Sequence, residues 1–159
     1  MIPEFEPVVN RMSLLLKEWE PKLRQLSDKV IREKRNSQNR TIKQILGHMI
    51  DSASNNTHRI VHLQYQKSPL KFPNYATEGN NDRWIAIQNY QEEDWMEIIG
   101  LWKYSNLHLI HVIINVNPAK LDNLWQASEE ELVSLRDATV DYLRHFELHL
   151  NEIDDLIQA

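Results

Sequence analysis

Cysteine is absent from this chain of 159 residues. Its absence excludes disulfides, zinc–thiolate sites and a cysteine nucleophile, so sulfur chemistry would have to arrive with a bound partner. Glycine is nearly as scarce, with three residues, and proline contributes only six. This composition argues against sandwiches, barrels and glycine-rich phosphate loops, and neither G-x-x-x-x-G-K-[ST] nor G-x-G-x-x-G occurs.

A sustained block of basic residues is also missing, and the formal net charge is −5. The short run "REKRNSQNR" over 32–40 is interpreted as a solvated loop, so nucleic-acid binding is disfavoured. The longest apolar stretch, "LHLIHVIINV", is broken by histidines and too short to span a bilayer. The N-terminal "MIPEFEPVVN" has no apolar core of a signal peptide. We therefore expect a cytoplasmic protein with neither nucleic acid nor membrane as partner.

Four long segments carry apolar residues at helical spacing. The first covers about 7–34 and is interrupted by Pro21, which predicts either a kinked helix or two short ones. The second begins at Thr41, where "TIKQ" reads as a capping box closed by Gln44, and it fades near Gln66.

The third segment covers about 92–116 and is ended by Asn117-Pro118, and the fourth opens with a second capping box, Ser128 to Glu131. Between the second and third segments, "KSPLKFPNYATEGNND" over 67–82 is rich in turn residues. It is either a lid or pocket wall, or an ordered crossover that packs Phe72 and Tyr75 on the bundle. The predicted fold class is all-α: one domain over 1–159, a four-helix bundle with a long connection between the second and third helices.

Histidine is the residue type that bears most on function. The seven histidines are His48, His58, His62, His108, His111, His145 and His149. The pairs with ligand-like spacing are His58/His62, His145/His149 and His108/His111. Because three pairs in one short chain have this spacing, spacing alone discriminates poorly.

The angular position of each histidine around its helix, relative to the apolar stripe, distinguishes the histidines further. His58, His62 and His111 fall opposite the apolar stripes and are expected to be exposed, whereas His145 and His149 fall on the flank of theirs. His48 lies more than about 100° from the centre of its stripe. Periodicity by itself therefore does not favour a three-histidine site. A catalytic metal typically takes three protein ligands and keeps one position open, and imidazole suits zinc, nickel, copper or iron(II).

Two stretches, "TIKQILGHMIDSASNNTHRI" over 41–60 and "DYLRHFELHLNEI" over 141–153, resemble the DinB-like superfamily, which includes the bacillithiol and related thiol S-transferases. The resemblance spans about 12–155 and implies a four-helix bundle that forms a homodimer. It implies a metal site made by one histidine of the second helix and an H-x-x-x-H of the last. The ligands here would be His48, His145 and His149.

The same resemblance implies functional roles for Asp51, Asn55 and Arg59, which match polar positions of related sequences. Asp51 is expected to orient a ligand or act as general base, or else to be a solvated helix carboxylate. Arg59 would clamp a carboxylate of a thiol co-substrate, or form a surface ion pair. Trp84 would line the mouth of the site, or belong to the core.

The function implied is that of a divalent-metal-dependent enzyme, a thiol S-transferase or a hydrolase acting on a small molecule. Zinc or nickel is the expected metal, with a low-molecular-weight thiol as co-substrate. The alternative is a non-enzymatic helical bundle that binds a small molecule or a protein and retains a vestigial metal site.

Overall fold

Four long helices form a bundle in the computed structural model, which describes residues 1–159. The elements are α1 (Glu6–Arg24), α2 (Asp28–Glu33), α3 (Ile42–Tyr65), α4 (Asn80–Gln88), α5 (Trp95–Ile114), β1 (Leu124–Gln126), β2 (Leu132–Ser134) and α6 (Leu135–Gln158). Helices α1, α3, α5 and α6 pack around a continuous apolar core that reaches from Ile2 to Ile153. The predicted helical bundle is thus confirmed, with a small two-stranded sheet added to it.

The first predicted segment is two helices, but the break does not fall at Pro21. Helix α1 continues through this exposed proline and ends at Arg24. The chain then turns, and Ser27 caps α2 by accepting a hydrogen bond from the backbone N–H of Val30 at 3.3 Å. A proline removes one helical hydrogen bond, which a packed helix tolerates, whereas a new cap starts a new helix.

Helix α3 begins as predicted, because both bonds of the capping box between Thr41 and Gln44 are formed. Its N-terminal half is enclosed: from Thr41 to Ala53 only Gln44 is not buried. A helix surrounded by neighbours has no solvent face, so distance from an apolar stripe says little about exposure there. This explains why His48, far from the centre of its stripe, is only 2% exposed.

The start of the last helix was predicted wrongly. Ser128 and Glu131 do not cap a helix but lie in the turn of the hairpin between β1 and β2, where the N–H of Ala127 donates to the carbonyl of Glu131 at 2.9 Å. The cap is Ser134, whose side chain accepts from the backbone N–H of Asp137 at 3.0 Å. The sequence offers two similar capping patterns six residues apart, and strand pairing selects the second.

The connection over 67–82 is an ordered crossover whose last three residues begin α4. Residues 74–76 also line a cleft, so the crossover interpretation and the pocket-wall interpretation both hold. Leu70 pairs with the hairpin: its N–H donates to Leu124 at 2.7 Å, and its carbonyl accepts from Gln126 at 3.0 Å. The indole of Trp125 donates to the carbonyl of Phe72 at 3.0 Å. The crossover is thereby tied to the hairpin, and it buries Tyr75 against the bundle.

Helix α5 begins at Trp95 behind the cap Asp94, whose side chain accepts from the backbone N–H of Glu97 at 3.0 Å. It ends at Ile114, within a few residues of the predicted end. None of the helices combines the length and the apolar character that crossing a membrane requires.

Candidate metal centre

The Nε2 atoms of three histidines from two helices meet at one point. His48 Nε2 lies 3.0 Å from His149 Nε2 and 3.3 Å from His145 Nε2, and the last two atoms are 3.0 Å apart. His48 comes from the enclosed half of α3, and the other two are one turn apart on α6. The structure thus brings together the three histidines that the resemblance singled out.

The spacing of these nitrogens suits a divalent cation. Tetrahedral zinc with Zn–N bonds of about 2.0–2.1 Å places its nitrogen ligands about 3.3–3.4 Å apart, close to the observed triangle. Burial, followed by repulsion from neighbouring imidazoles, lowers the pKa of His48 to about 2 and that of His145 to about 3. Both rings are therefore neutral near pH 7, which is the form that binds a metal.

Hydrogen bonds to the outer nitrogens fix which ring nitrogen carries the proton. His149 Nδ1 lies 2.9 Å from a carboxylate oxygen of Glu152, which can only accept, so Nδ1 is the protonated atom and Nε2 carries a lone pair. His48 Nδ1 lies 2.8 Å from the hydroxyl of Tyr75, which itself donates to Asp51 at 3.3 Å. Since that hydroxyl proton is already engaged, His48 donates to it. The Nε2 lone pairs of His48 and His149 consequently face each other, and a bound cation would remove the repulsion between them.

Asp51 is buried and does not contact His48 directly. Its carboxylate accepts hydrogen bonds from the hydroxyls of Tyr75 at 3.3 Å and Tyr90 at 2.7 Å, and from the amide of Gln88 at 2.7 Å. Burial raises the pKa of Asp51 and outweighs these three hydrogen bonds, which lower it. The interpretation of Asp51 as a solvated carboxylate is therefore wrong, because the side chain is 2% exposed.

The position before His48 has to be glycine for this network to form. A Cβ atom added to Gly47 would overlap the ring of Tyr90. Tyr90 lies against the backbone of α3 and reaches past it to Asp51. The glycine of the motif "LGH" therefore lets the ring of Tyr90 lie close to the backbone of α3, immediately before His48.

A cleft of about 660 Å³ opens on one side of the centre. Its walls come from α3, the crossover, the hairpin and α6, and His145 is the histidine of the cluster that lines it. Asn55 and Arg59, which were predicted to bind substrate, both line this cleft as well. Asn55 donates its side-chain amide to the carbonyl of Asp51 at 2.9 Å and keeps its oxygen free of protein donors.

Arg59 is not a surface residue in an ion pair, so that interpretation is wrong. The side chain is 9% exposed, and its guanidinium carbon lies 3.9 Å from the centre of the Trp125 ring. Burial lowers the pKa of Arg59 to about 10, and the guanidinium therefore stays charged near pH 7. A charged group thus lines the cleft that leads to the histidines.

Trp84 lies outside this cleft. It is 39% exposed, which contradicts a place in the core, and it lines a separate groove of about 440 Å³ bordered by α3, α4 and α5. Its ring meets that of Tyr75 edge-on, with 5.3 Å between the ring centres. Trp84 is therefore separated from the three-histidine cluster by Tyr75.

The remaining histidines do not join the centre. His58, His108 and His111 are exposed, and His62 is partly exposed with its Nδ1 2.7 Å from the hydroxyl of Tyr65. Sequence reasoning had predicted exposure for His58, His62 and His111.

Two residues around the centre were missed as functional candidates. The signal for Glu152 was its position three residues after His149, on the same face of the last helix. Tyr75 offered no such signal, because it reaches His48 from the crossover, 27 residues farther along the chain.

Solved structures with the same fold include at least two proteins of described function. YfiT from Bacillus subtilis, described as a probable metal-dependent hydrolase with an unusual four-helix bundle topology, matches with a TM-score of 0.77 and 16% identity over 96% of this chain and 87% of that one. A mycothiol-dependent maleylpyruvate isomerase matches with a TM-score of 0.75 and 11% identity over 94% of this chain. This chain spans only 60% of that isomerase.

No profile of a known protein family matches the sequence, and no match to a curated protein is found. At 16% and 11% identity, the two structural matches establish the fold and leave the chemistry to the residues of this chain. The expected bundle and the three-histidine cluster are both present.

Proposed function

We propose that this chain, which has the bundle fold of the DinB-like superfamily, is a divalent-metal-dependent enzyme of the thiol S-transferase or hydrolase type. His48, His145 and His149 are the proposed ligands. The observation that carries the proposal is the convergence of their three Nε2 atoms within 3.0–3.3 Å, with outer hydrogen bonds that direct the lone pairs of two of them inward.

A divalent cation at this point, proposed to be zinc or nickel, would act as a Lewis acid and lower the pKa of a coordinated water or thiol. The side chains of the protein would position the bound molecules and determine from which side they reach the cation. His145 lines the cleft, so the open coordination position is proposed to face it. Because the chain has no cysteine, the thiol of a transfer reaction would be a low-molecular-weight co-substrate.

Asp51 is proposed to orient His48 through Tyr75 and to have no role as a general base. All hydrogen bonds to its carboxylate come from Tyr75, Tyr90 and Gln88, and a tyrosine hydroxyl lies between that carboxylate and His48, the nearest proposed ligand. Glu152 holds His149 directly at 2.9 Å. Carboxylates that orient metal-binding imidazoles in this way raise their basicity and fix their tautomer.

Asn55 and Arg59 are proposed to contact the substrate from the α3 wall of the cleft. Trp84 would act indirectly, by packing against Tyr75. The substrate is then a small molecule that enters between α3, the hairpin and α6.

The direct test is metal analysis of protein purified without a histidine tag. We expect about one equivalent of zinc or nickel per chain for the wild type and none for His145→Ala. The loaded enzyme should then be screened against electrophiles and esters in the presence of several low-molecular-weight thiols. His111→Ala, which alters an exposed histidine, is the matched control.

Unchanged metal content in His145→Ala, with the helical circular dichroism of the wild type, would reject the proposal. Absence of metal from the wild type after incubation with zinc and nickel would favour the alternative, a binding module with a vestigial site.

A homodimer is also proposed, through the outer face of α3, α4 and α5. Large apolar side chains are exposed there, including Val61, Tyr65, Ile87, Leu101 and Tyr104. Sedimentation that shows only monomer at micromolar concentration would remove this proposal. A cytoplasmic location stays a prediction from the sequence.

A further inference from the structure

The guanidinium of Arg59 is held in the cleft with most of its donors unused. Of its five N–H groups, only one on Nη2 has a protein acceptor, the side-chain oxygen of Asn56. Its Nε is fully buried without any partner, and burial is the only influence on its pKa, so no nearby carboxylate compensates its charge. The protein compensates this charge only with one amide oxygen and the ring of Trp125, which is costly, and an anionic ligand in the cleft would supply the missing partner.

The surroundings hold this group in place. Trp125 covers one face of the guanidinium at 3.9 Å, and its indole N–H is fixed by the carbonyl of Phe72 at 3.0 Å. Asn56 is itself fixed, because its amide donates to the carbonyl of Ser52 at 2.8 Å. The arginine therefore does not need to be ordered when a ligand binds, which favours affinity.

The position of Arg59 sets a length for that ligand. His48, Ser52, Asn55 and Arg59 follow one another at spacings of four, three and four residues, so they share one face of α3. Eleven residues separate His48 from Arg59, a rise of about 16 Å along the helix. The side chain of Arg59 leans toward the N-terminus of the helix. The distance from its guanidinium to the histidines is therefore on the order of 10 Å.

We propose that the cleft takes an extended molecule that carries a carboxylate at the end remote from the histidines, and that Arg59 binds this carboxylate. The inference rests on the proposed function, since the histidines define the other end of the cleft. Arginine suits a planar oxyanion because its fork of N–H groups matches the two oxygens. The carboxylate belongs either to the electrophile or to the thiol co-substrate, and the molecule is longer than a single amino acid.

Acidic side chains at the same cleft do not oppose this. Glu131, Asp137 and Asp141 belong to the hairpin turn and α6, and all three are exposed to solvent. Asp141 is already paired with Arg144 at 2.6 Å. Exposed charges are screened by salt, whereas the buried guanidinium is not.

The test uses ω-mercaptocarboxylates with two, five and ten methylene groups and the ω-mercaptoalcohols of equal length. Binding to zinc-loaded and to metal-free protein is measured by titration calorimetry. For the long members we expect the acid to bind roughly 10- to 100-fold more tightly than the alcohol, as a hydrogen bond to a charged group provides. The preference should vanish for the shortest pair in zinc-loaded protein, because that acid cannot span the gap.

Arg59→Met and Arg59→Gln should each abolish the preference of the long acid while leaving the affinity for the long alcohol unchanged. Two neutral replacements are used so that one remains informative if the other does not fold. Arg144→Met, at the rim of the same cleft, is the matched control and should keep the preference.

To separate electrophile from thiol, long monocarboxylates without a thiol are titrated into protein with and without a bound short thiol. Additive binding assigns the carboxylate to the electrophile, and competition assigns it to the thiol co-substrate. Equal binding of long acid and long alcohol by the wild type, or an acid preference that survives both Arg59 variants, would overturn the inference. If no thiol binds zinc-loaded protein more tightly than metal-free protein, the result counts against the metal-dependent function instead. The preference for the long acid is also measured in metal-free protein, so the two failures can be told apart.

Discussion

Two histidine pairs of this chain have identical spacing and different surroundings. His145 and His149 on α6 meet a third imidazole, and their Nε2 atoms lie 3.0 Å apart. His58 and His62 on α3 diverge, with His58 exposed in a groove and His62 bonded to Tyr65. The i,i+4 spacing places two rings on one face, but only a third ligand from another helix and enclosure from solvent make a candidate metal centre.

The largest expected difference between the pairs is in metal affinity. His149→Ala should weaken zinc binding by more than about 100-fold, because loss of an outer hydrogen-bond partner alone costs about 10- to 100-fold. His62→Ala, in the other pair, should leave the affinity unchanged. Competition with a chromophoric chelator measures both, and equal losses in the two variants would show that the pairs do not differ as proposed.

The pH dependence of stability should next separate the buried histidines His48 and His145 from the exposed pair. In metal-free protein the folded-state pKa values of His48 and His145 lie near 2 and 3, below the value of about 6.5 expected in the unfolded chain. As the pH falls below about 6.5, the unfolded state takes up protons that the folded state refuses, so stability is lost by up to about 1.4 kcal/mol per pH unit for each imidazole. At pH 7 and above, the two groups contribute nothing.

Urea unfolding of metal-free protein between pH 7 and pH 5 tests this dependence. The double variant His48→Gln, His145→Gln should lose less stability over that range than the wild type does, whereas His58→Gln should behave like the wild type. If the unfolding free energies of the double variant and the wild type fall equally between pH 7 and pH 5, the burial of the two imidazoles does not govern the acid sensitivity.

Outer hydrogen bonds offer a finer comparison, because His48 in the three-histidine cluster and His62 in the exposed pair each bond a tyrosine hydroxyl. Tyr75→Phe removes the hydroxyl that accepts from His48 and donates to Asp51, and it should weaken zinc binding by about 10- to 100-fold. Tyr65→Phe removes the hydroxyl next to His62 and should have no effect. Matching affinities for the two variants, measured with the same chelator, would rule out a role for Tyr75 in holding His48.

The last prediction concerns the packing that encloses His48. Gly47→Ala would force its new methyl group into the ring of Tyr90 and should cost about 1–3 kcal/mol of unfolding free energy. Gly100→Ala, in a helix position with open space around it, should instead stabilise the protein by about 0.5–1 kcal/mol. Urea denaturation compares the two, and a neutral Gly47→Ala would mean that Tyr90 moves aside freely.

The sequence predicted the elements that depend on neighbours along the chain. The capping box at Thr41 marked the start of α3, and the H-x-x-x-H of the last segment placed His145 and His149 on one face. Local patterns gave a wrong helix start where the sequence offers two possible caps close together. Ser128 and Ser134 both resemble caps, and the pairing of β1 with β2 gives the first to a hairpin turn.

The sequence by itself determined the bundle, because helical periodicity and caps are properties of neighbouring residues. The three proposed ligands were identified by a resemblance to known sequences and not by their spacing or phase. Only the tertiary structure decided that His48 is enclosed, that Tyr75 and Glu152 direct the imidazoles, and that Arg59 is buried without a counter-ion. These features join helices and loops far apart in the chain. Their energies depend on exclusion of water and on contacts that no local pattern records.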